Sequence, residues 1–321
     1  MSLSVSPLVI AQKYLTRYGM TTYVTLGNIG LVFNMLIFSQ PAHRRNSCSL
    51  YILGMSFCSC IGLNSAIIPI IYALDHPNLL SYSLIFCKLQ YYVRHVFSQS
   101  MRTFLVLACA DRYATSSNRV CIRSFSRYQV AIRIIPLVIL FWLSLGIFPA
   151  MLYTNNNGEC DAQNGLSNIL YSTYIMTFLG IFPLVSLITF GILIVLNLKE
   201  VRARAHFLKN RNAVTILRKR DRNMIRMLLI ELIIYICTTI PTTVVLIYKA
   251  AVQNKVYSGE RQDIESFIFF VGRTFLLYFN NSLPFWIYLS ASRSFRLELK
   301  NLFFKWFTFI KQQNTSPTLT H

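Results

Sequence analysis

Charge, and acid above all, is what this chain has least of. Only 13% of its 321 residues are charged, against 54% hydrophobic, where a soluble domain carries about 25% charged residues. Water is therefore not the main solvent of the fold. Acids number 11 against 31 Lys and Arg, leaving a formal net charge of +20. That excess does not mark a nucleic-acid binder, because the basic residues sit in short runs between apolar blocks instead of on one face. The positive-inside rule of membrane proteins accounts for the pattern. No His-Glu-x-x-His, nucleophile elbow or intramembrane carboxylate pair occurs, which argues against an enzyme; no metal or cofactor is implied. Residues 1–17 lack the charged start, long apolar core and small-residue cleavage site of a removable signal. The first apolar segment is thus expected to serve as its own targeting signal. The same residues hold no Asn-x-Ser/Thr acceptor, so N-tail glycosylation is not expected.

What the chain does have is seven apolar segments of near membrane-spanning length, at about 18–39, 50–73, 84–112, 131–153, 168–198, 223–248 and 266–289. An odd number puts the two termini on opposite sides of the bilayer. Most of the Lys and Arg follow segments 1, 3, 5 and 7, among them Arg44, Arg45, Lys199, Arg202 and Arg218. These loops face the cytoplasm, which leaves the N-terminus outside. The expected organisation is a short extracellular tail (1–17), a membrane domain (18–291), an amphipathic helix (292–307) and a cytoplasmic tail (308–321). Within Phe295–Phe307, the aromatic residues Phe303, Phe304, Trp306 and Phe307 occur together with Arg296, Lys300 and Lys305, as in a helix lying on the inner leaflet. The eight cysteines do not make a disulfide framework, since most lie within apolar segments.

Segment 3 carries the most specific signal. It ends in Ala108-Cys109-Ala110-Asp111-Arg112-Tyr113, with Cys87 twenty-five residues before Arg112 and the basic positions Arg119, Arg123 and Arg127 beyond. Segment 4 holds Trp142, segments 5 and 6 hold Pro183 and Pro241, and segment 7 reads Asn281-Ser282-Leu283-Pro284-Phe285-Trp286-Ile287-Tyr288. Together these resemble the rhodopsin-like (class A) G-protein-coupled receptors along nearly the whole chain. The resemblance implies an all-α bundle of seven transmembrane helices with a short eighth helix on the inner leaflet of the plasma membrane. It implies as partners an extracellular ligand, a heterotrimeric G protein and the lipid bilayer. It further implies a disulfide between Cys87 and Cys160, and hinges at Pro183, Pro241 and Pro284, since a proline inside a helix removes a backbone hydrogen bond and bends it.

The resemblance also implies a charge switch. Asp111, Arg112, Tyr113 and Tyr288 are its expected members, with Asp221, twenty residues before Pro241, as the acid that pairs with Arg112. The alternative is that Asp221 is neutralised within its own run, Arg218-Lys219-Arg220-Asp221-Arg222. At the other end of segment 3, Arg94 stands where amine receptors carry an aspartate, which argues against a cationic ligand. It favours a carboxylate, an amide oxygen or an acidic side chain, unless Arg94 reaches lipid headgroups or pairs with Glu265. Tyr91, His95, Gln99, Arg273 and Tyr278 are expected to line the same ligand pocket. Deeper, Arg102 and Glu231 lie in apolar surroundings and either pair with each other, or Arg102 is satisfied by carbonyls and water and Glu231 by a proton.

Several positions depart from the family pattern. Ser59 takes the place of the segment 2 aspartate that helps bind sodium, and spacing puts Leu31 at the segment 1 asparagine, although Gly27-Asn28 lies nearby. Thr238-Thr239-Ile240-Pro241 replaces Cys-Trp-x-Pro, Gly191 the segment 5 tyrosine and Phe285 the segment 7 proline. This divergence is most similar to invertebrate neuropeptide receptors of the FMRFamide type. A constitutive receptor or one for a small acidic ligand is the alternative, and a seven-helix transporter a further one, although two inverted halves with broken helices are not evident. A retinal protein is excluded, because Tyr278 stands where an opsin carries its lysine.

Overall fold

In the computed structural model the described residues are 6–78, 83–117, 119–156, 159–162, 166–207, 219–252 and 259–315. Eight long helices dominate them: α1 (Pro7–Phe38), α2 (Ser47–Tyr72), α3 (Leu84–Ser116), α4 (Tyr128–Met151), α5 (166–207), α6 (Lys219–Val252), α7 (260–291) and α8 (Arg293–Thr315). Five of these, α1, α2, α4, α5 and α6, are long and apolar enough to cross a membrane. The other two of the bundle differ for physical reasons. The middle of α3 carries Arg94, His95, Ser98, Gln99, Ser100 and Arg102, and α7 is interrupted at Leu283.

Helices α1 to α7 close into a ring, with α1 against α2 and α7, and α3 packed on α2, α4, α5 and α6. That central place explains the polarity of α3: protein, not solvent or lipid, surrounds it. Polar groups point inward across the bundle, including Asn34, Ser59, Gln99, Arg102, Asp111 and Glu231. Large apolar side chains point outward, including Leu137, Leu140 and Phe141 on α4 and Ile192 and Leu196 on α5. Such a surface is stable only against hydrocarbon.

The helix ends follow local chemistry that hydropathy does not report. Pro7 occupies the first turn of α1, so the helix begins within the stretch 1–17. Asn46 caps α2 by accepting the Ser49 N–H, and Ser83 caps α3 by accepting the Phe86 N–H. Ser292 is extended and its hydroxyl accepts the Phe295 N–H, which stops α7 and starts α8. Helix α8 continues to Thr315, beyond the expected boundary at 307. It is anchored by Phe295, packed among Phe38, Phe285 and Tyr288, and by Arg296, which donates to the carbonyls of Leu289 and Ser290.

Each expected hinge has a distinct geometry. Pro183 follows a π-helical turn, Met176–Ile181, in which the Phe182 N–H reaches back to the Thr177 carbonyl. Proline cannot donate, and its ring crowds the carbonyl four residues back, so the ladder slips by one residue just before it. α6 passes Pro241 without interruption. Pro284 leaves the Asn280 carbonyl without its usual donor, and the Leu283 N–H takes it at 3.4 Å before a new helical segment, Pro284–Ala291, begins. One element was not expected in an all-α chain: an antiparallel hairpin, β1 (Tyr153–Asn156) and β2 (Glu159–Ala162), with Asn155 opposite Cys160.

Candidate functional site

Two sites sit at opposite ends of α3. At its C-terminal end Asp111 and Arg112 are buried. The Arg112 guanidinium is ion-paired with the neighbouring Asp111 carboxylate, its Nε at 3.1 Å, and a further N–H reaches Asn46 Oδ1 at 3.4 Å. The second carboxylate oxygen of Asp111 accepts from the hydroxyls of Ser47, at the start of α2, and Ser126, in the short 3-10 turn before α4. Thr115, one turn along α3, lies 2.7 Å from the Ser126 hydroxyl and donates to the Asp111 carbonyl. An aspartate in apolar surroundings is tolerated because all of these donors converge on it. Tyr113 turns toward α5, its ring tilted against Phe190. The side chain of Asp221 lies outside the described residues.

Tyr288 and Glu231 meet directly. The Tyr288 hydroxyl donates to Glu231 Oε2 at 2.6 Å, with both groups buried, and so ties α7 to α6. Of the two arrangements open for Arg102 and Glu231, the pairing with each other is not formed. Arg102 instead donates to the Ser98 carbonyl at 2.9 Å and to Gln99 Oε1 at 3.4 Å. The reason is directional. Helical side chains lean toward their own N-terminus, and α3 and α6 run in opposite senses through the bundle. Arg102 leans toward the start of α3 and Glu231 toward the start of α6, so the two diverge from similar depths.

Toward the N-terminal end of α3 lies a cavity of about 260 Å³, with Tyr153 and Cys160 of the hairpin in its lining. Arg94, Arg102 and Arg273 line it, together with His95 and the tyrosines Tyr91, Tyr153, Tyr171 and Tyr278. The Cys87–Cys160 disulfide is present and fastens β2 to the first turn of α3, placing Tyr153 of β1 as part of the roof. The Tyr153 ring stacks on Tyr91 with centroids 3.9 Å apart, and its hydroxyl lies 3.0 Å from that of Tyr171. Arg273, within the π-helical turn Phe270–Phe275 of α7, donates to the Tyr171 hydroxyl at 3.3 Å. Arg94 lies over the Tyr91 ring at 5.2 Å, a favourable cation–π placement. Glu265 is not its partner: that carboxylate is 3.6 Å from Arg261 and accepts from Tyr248.

Of the expected pocket residues, Tyr91, Arg94, His95, Arg273 and Tyr278 are brought together around this cavity. Gln99 is not part of the wall; it is buried beside Arg102. Sequence reasoning missed Arg102 as a lining residue, along with Tyr153 and Tyr171. The scarcity of charge singled out Arg102, and the lean of helical side chains would have aimed it upward; the tyrosines had no comparable signal. Among the departures, Asn28 exchanges amide hydrogen bonds with Asn64 at 2.9 and 2.8 Å. Asn34, Ser59 and Asn281 are buried with no hydrogen-bond partner among the described residues. The Trp142 indole donates to Thr103 at 2.9 Å.

A family model described as seven-transmembrane receptor (rhodopsin family) matches residues 27–288. No curated protein matches the chain.

Proposed function

The chain belongs to the rhodopsin family of seven-transmembrane receptors, and from that premise we propose that it carries a signal from a ligand outside the plasma membrane to a heterotrimeric G protein inside. In this reading α1 to α7 all span the bilayer, and α8 lies on the inner leaflet with Phe303, Phe304, Trp306 and Phe307 in the lipid. The N-terminus is outside, because the basic runs gather at the Arg112 end, and the disulfide then lies on the oxidising side.

One observation carries the proposal. The single 33-residue helix α3 bears two of the three cavity arginines, Arg94 and Arg102, and at its far end the buried Asp111–Arg112 network. A ligand that moves α3 relative to its neighbours acts on both ends at once. Arg112 and Asp221 hold the inner ends of α3 and α6 together at rest. Ligand binding favours outward movement of α6 about Pro241, exposing Arg112, Tyr113 and the loop through Arg127 to the G protein. Only a few kcal/mol of differential binding are needed to shift such an equilibrium.

A short peptide is the ligand that the divergence of the sequence favours, provided that it presents an acceptor-rich or acidic group to the guanidiniums. The size of the cavity and its arginines favour a second reading, a small acidic ligand. The test of the receptor role is second-messenger output in cells displaying the chain. Arg112→Ala should abolish stimulated output while leaving surface display intact, and Asp221→Ala should raise basal output. Full signalling from Arg112→Ala would remove the central claim.

A further inference from the structure

We propose that the cavity lined by the hairpin binds a small dicarboxylate, one carboxylate at Arg94 and the other at Arg102, with Arg273 also in its wall. This rests on the reading of the cavity as the ligand site of a receptor.

The first support is charge without counter-charge. Among the described residues Arg94 makes no hydrogen bond or ion pair, and its ring contact with Tyr91 leaves its five N–H donors available. Arg102 is 3% exposed, yet its partners are a backbone carbonyl and a side-chain amide, both neutral. No Asp or Glu is present among the described residues lining the cavity. Like charges held out of water repel strongly and are costly without an anion. A single carboxylate would leave an excess of positive charge, whereas a dianion offsets both poles.

The second support is spacing. Arg94 and Arg102 are eight residues apart on one helix, about 12 Å along its axis, and both lean the same way, so their heads keep that separation. Two separate poles fit a ligand with an anionic group at each end better than one compact anion. The lining also includes the apolar side chains Ile175, Leu179, Leu246 and Leu277, which suit a short carbon chain.

The third is size. A volume of about 260 Å³ holds on the order of nine water-sized groups at ~30 Å³ each. The Cys87–Cys160 bond and the stacking of Tyr153 on Tyr91 fix the two hairpin residues of the lining in place.

The test is thermal unfolding of the full-length receptor purified in detergent, in a buffer free of carboxylates and phosphate. The probes are succinate, glutarate and adipate, with butyrate and succinamide as the monoanionic and neutral counterparts. The midpoint should rise with at least one diacid at a concentration where the monoacid and diamide have no effect. Arg94→Gln and Arg102→Gln should each weaken that binding roughly ten- to hundredfold, the range for a charged hydrogen-bonding partner. Arg94→Lys, which keeps the charge but loses the planar fork, should fall between wild type and Arg94→Gln. The ligand-free Arg94→Gln protein should also unfold higher than wild type, by about 2 °C or more, because one of three neighbouring positive charges is gone. A merely structural arginine would instead lower it.

No shift with any diacid, an equal shift with butyrate, or a ligand-free Arg94→Gln that unfolds lower would overturn the assignment. A shift produced by an amidated peptide but by no diacid would also overturn it, while leaving the receptor reading intact. Diacid binding without any change in second-messenger output would do the reverse, sparing the ligand class and sinking the signalling role.

Discussion

Tyr288 and Glu231 depend on each other, because both are buried and the hydroxyl of one donates to the carboxyl of the other. Replacing Tyr288 by Phe leaves the Glu231 carboxyl without its donor, at a cost of about 1–3 kcal/mol. The double variant Tyr288→Phe, Glu231→Leu should recover most of that loss, since two apolar groups of similar shape satisfy each other. Thermal unfolding of the four proteins in a double-mutant cycle checks it, and a strictly additive double variant would show that the contact carries no coupling. At this scale the sequence was partly legible. It singled out Tyr288, Glu231 and Arg102 by their scarcity in apolar surroundings, but scarcity does not say which way a side chain leans. Pairing Arg102 with Glu231 matched their depth along the helices and overlooked the opposite run of α3 and α6. The hydroxyls of Ser47 and Ser126 on Asp111 were invisible for another reason: serine is common, and only the fold shows which two converge.

Helix packing at the hairpin end turns on small residues where backbones approach. A Cβ placed on Gly272 of α7 would lie 2.8 Å from Val245 Cγ2 of α6, and one on Gly180 of α5 would lie 3.3 Å from Thr243. The Thr242 hydroxyl donates to the Gly272 carbonyl at 2.8 Å, so the turn of α6 just past Pro241 is held between the π-helical turns of α5 and α7. Gly272→Ala should therefore cost about 1–3 kcal/mol through overpacking, read as a lower unfolding midpoint. An unchanged midpoint would mean that the π-helical turn yields freely. The positions of the helices were legible from apolar runs, and their ends were not. Asn46, Ser83 and Ser292 set boundaries through capping, and the hairpin, only four residues per strand, is too short to leave a periodic trace.

Over the whole molecule the outer surface departs from that of a soluble fold: large apolar side chains cover it, while the interior combines an apolar core with buried amides, hydroxyls and a few charges. A lysine placed on that surface should be far more harmful than one near the ring's ends. Ile192→Lys, at a side chain 54% exposed on α5, should cost about 2.5–3.5 kcal/mol in membrane insertion. Surface display compared with Ile192→Leu measures it; equal display would place that face of α5 against protein or water. Composition alone showed that water is not the main solvent, while α3 escaped a simple test of apolarity because protein shields it on most sides. The segment Pro284–Ala291 has a mechanical consequence. It is bounded by the slipped hydrogen bond at Leu283 and the extended Ser292, so both of its ends can swivel. Its body is fastened to three neighbours: Phe285 sits where a Cβ on Gly30 of α1 would be 2.7 Å away, Tyr288 grips α6, and the Leu289 and Ser290 carbonyls hold Arg296 of α8. The segment is a short crank, and turning it requires α1, α6 and α8 either to follow or to let go.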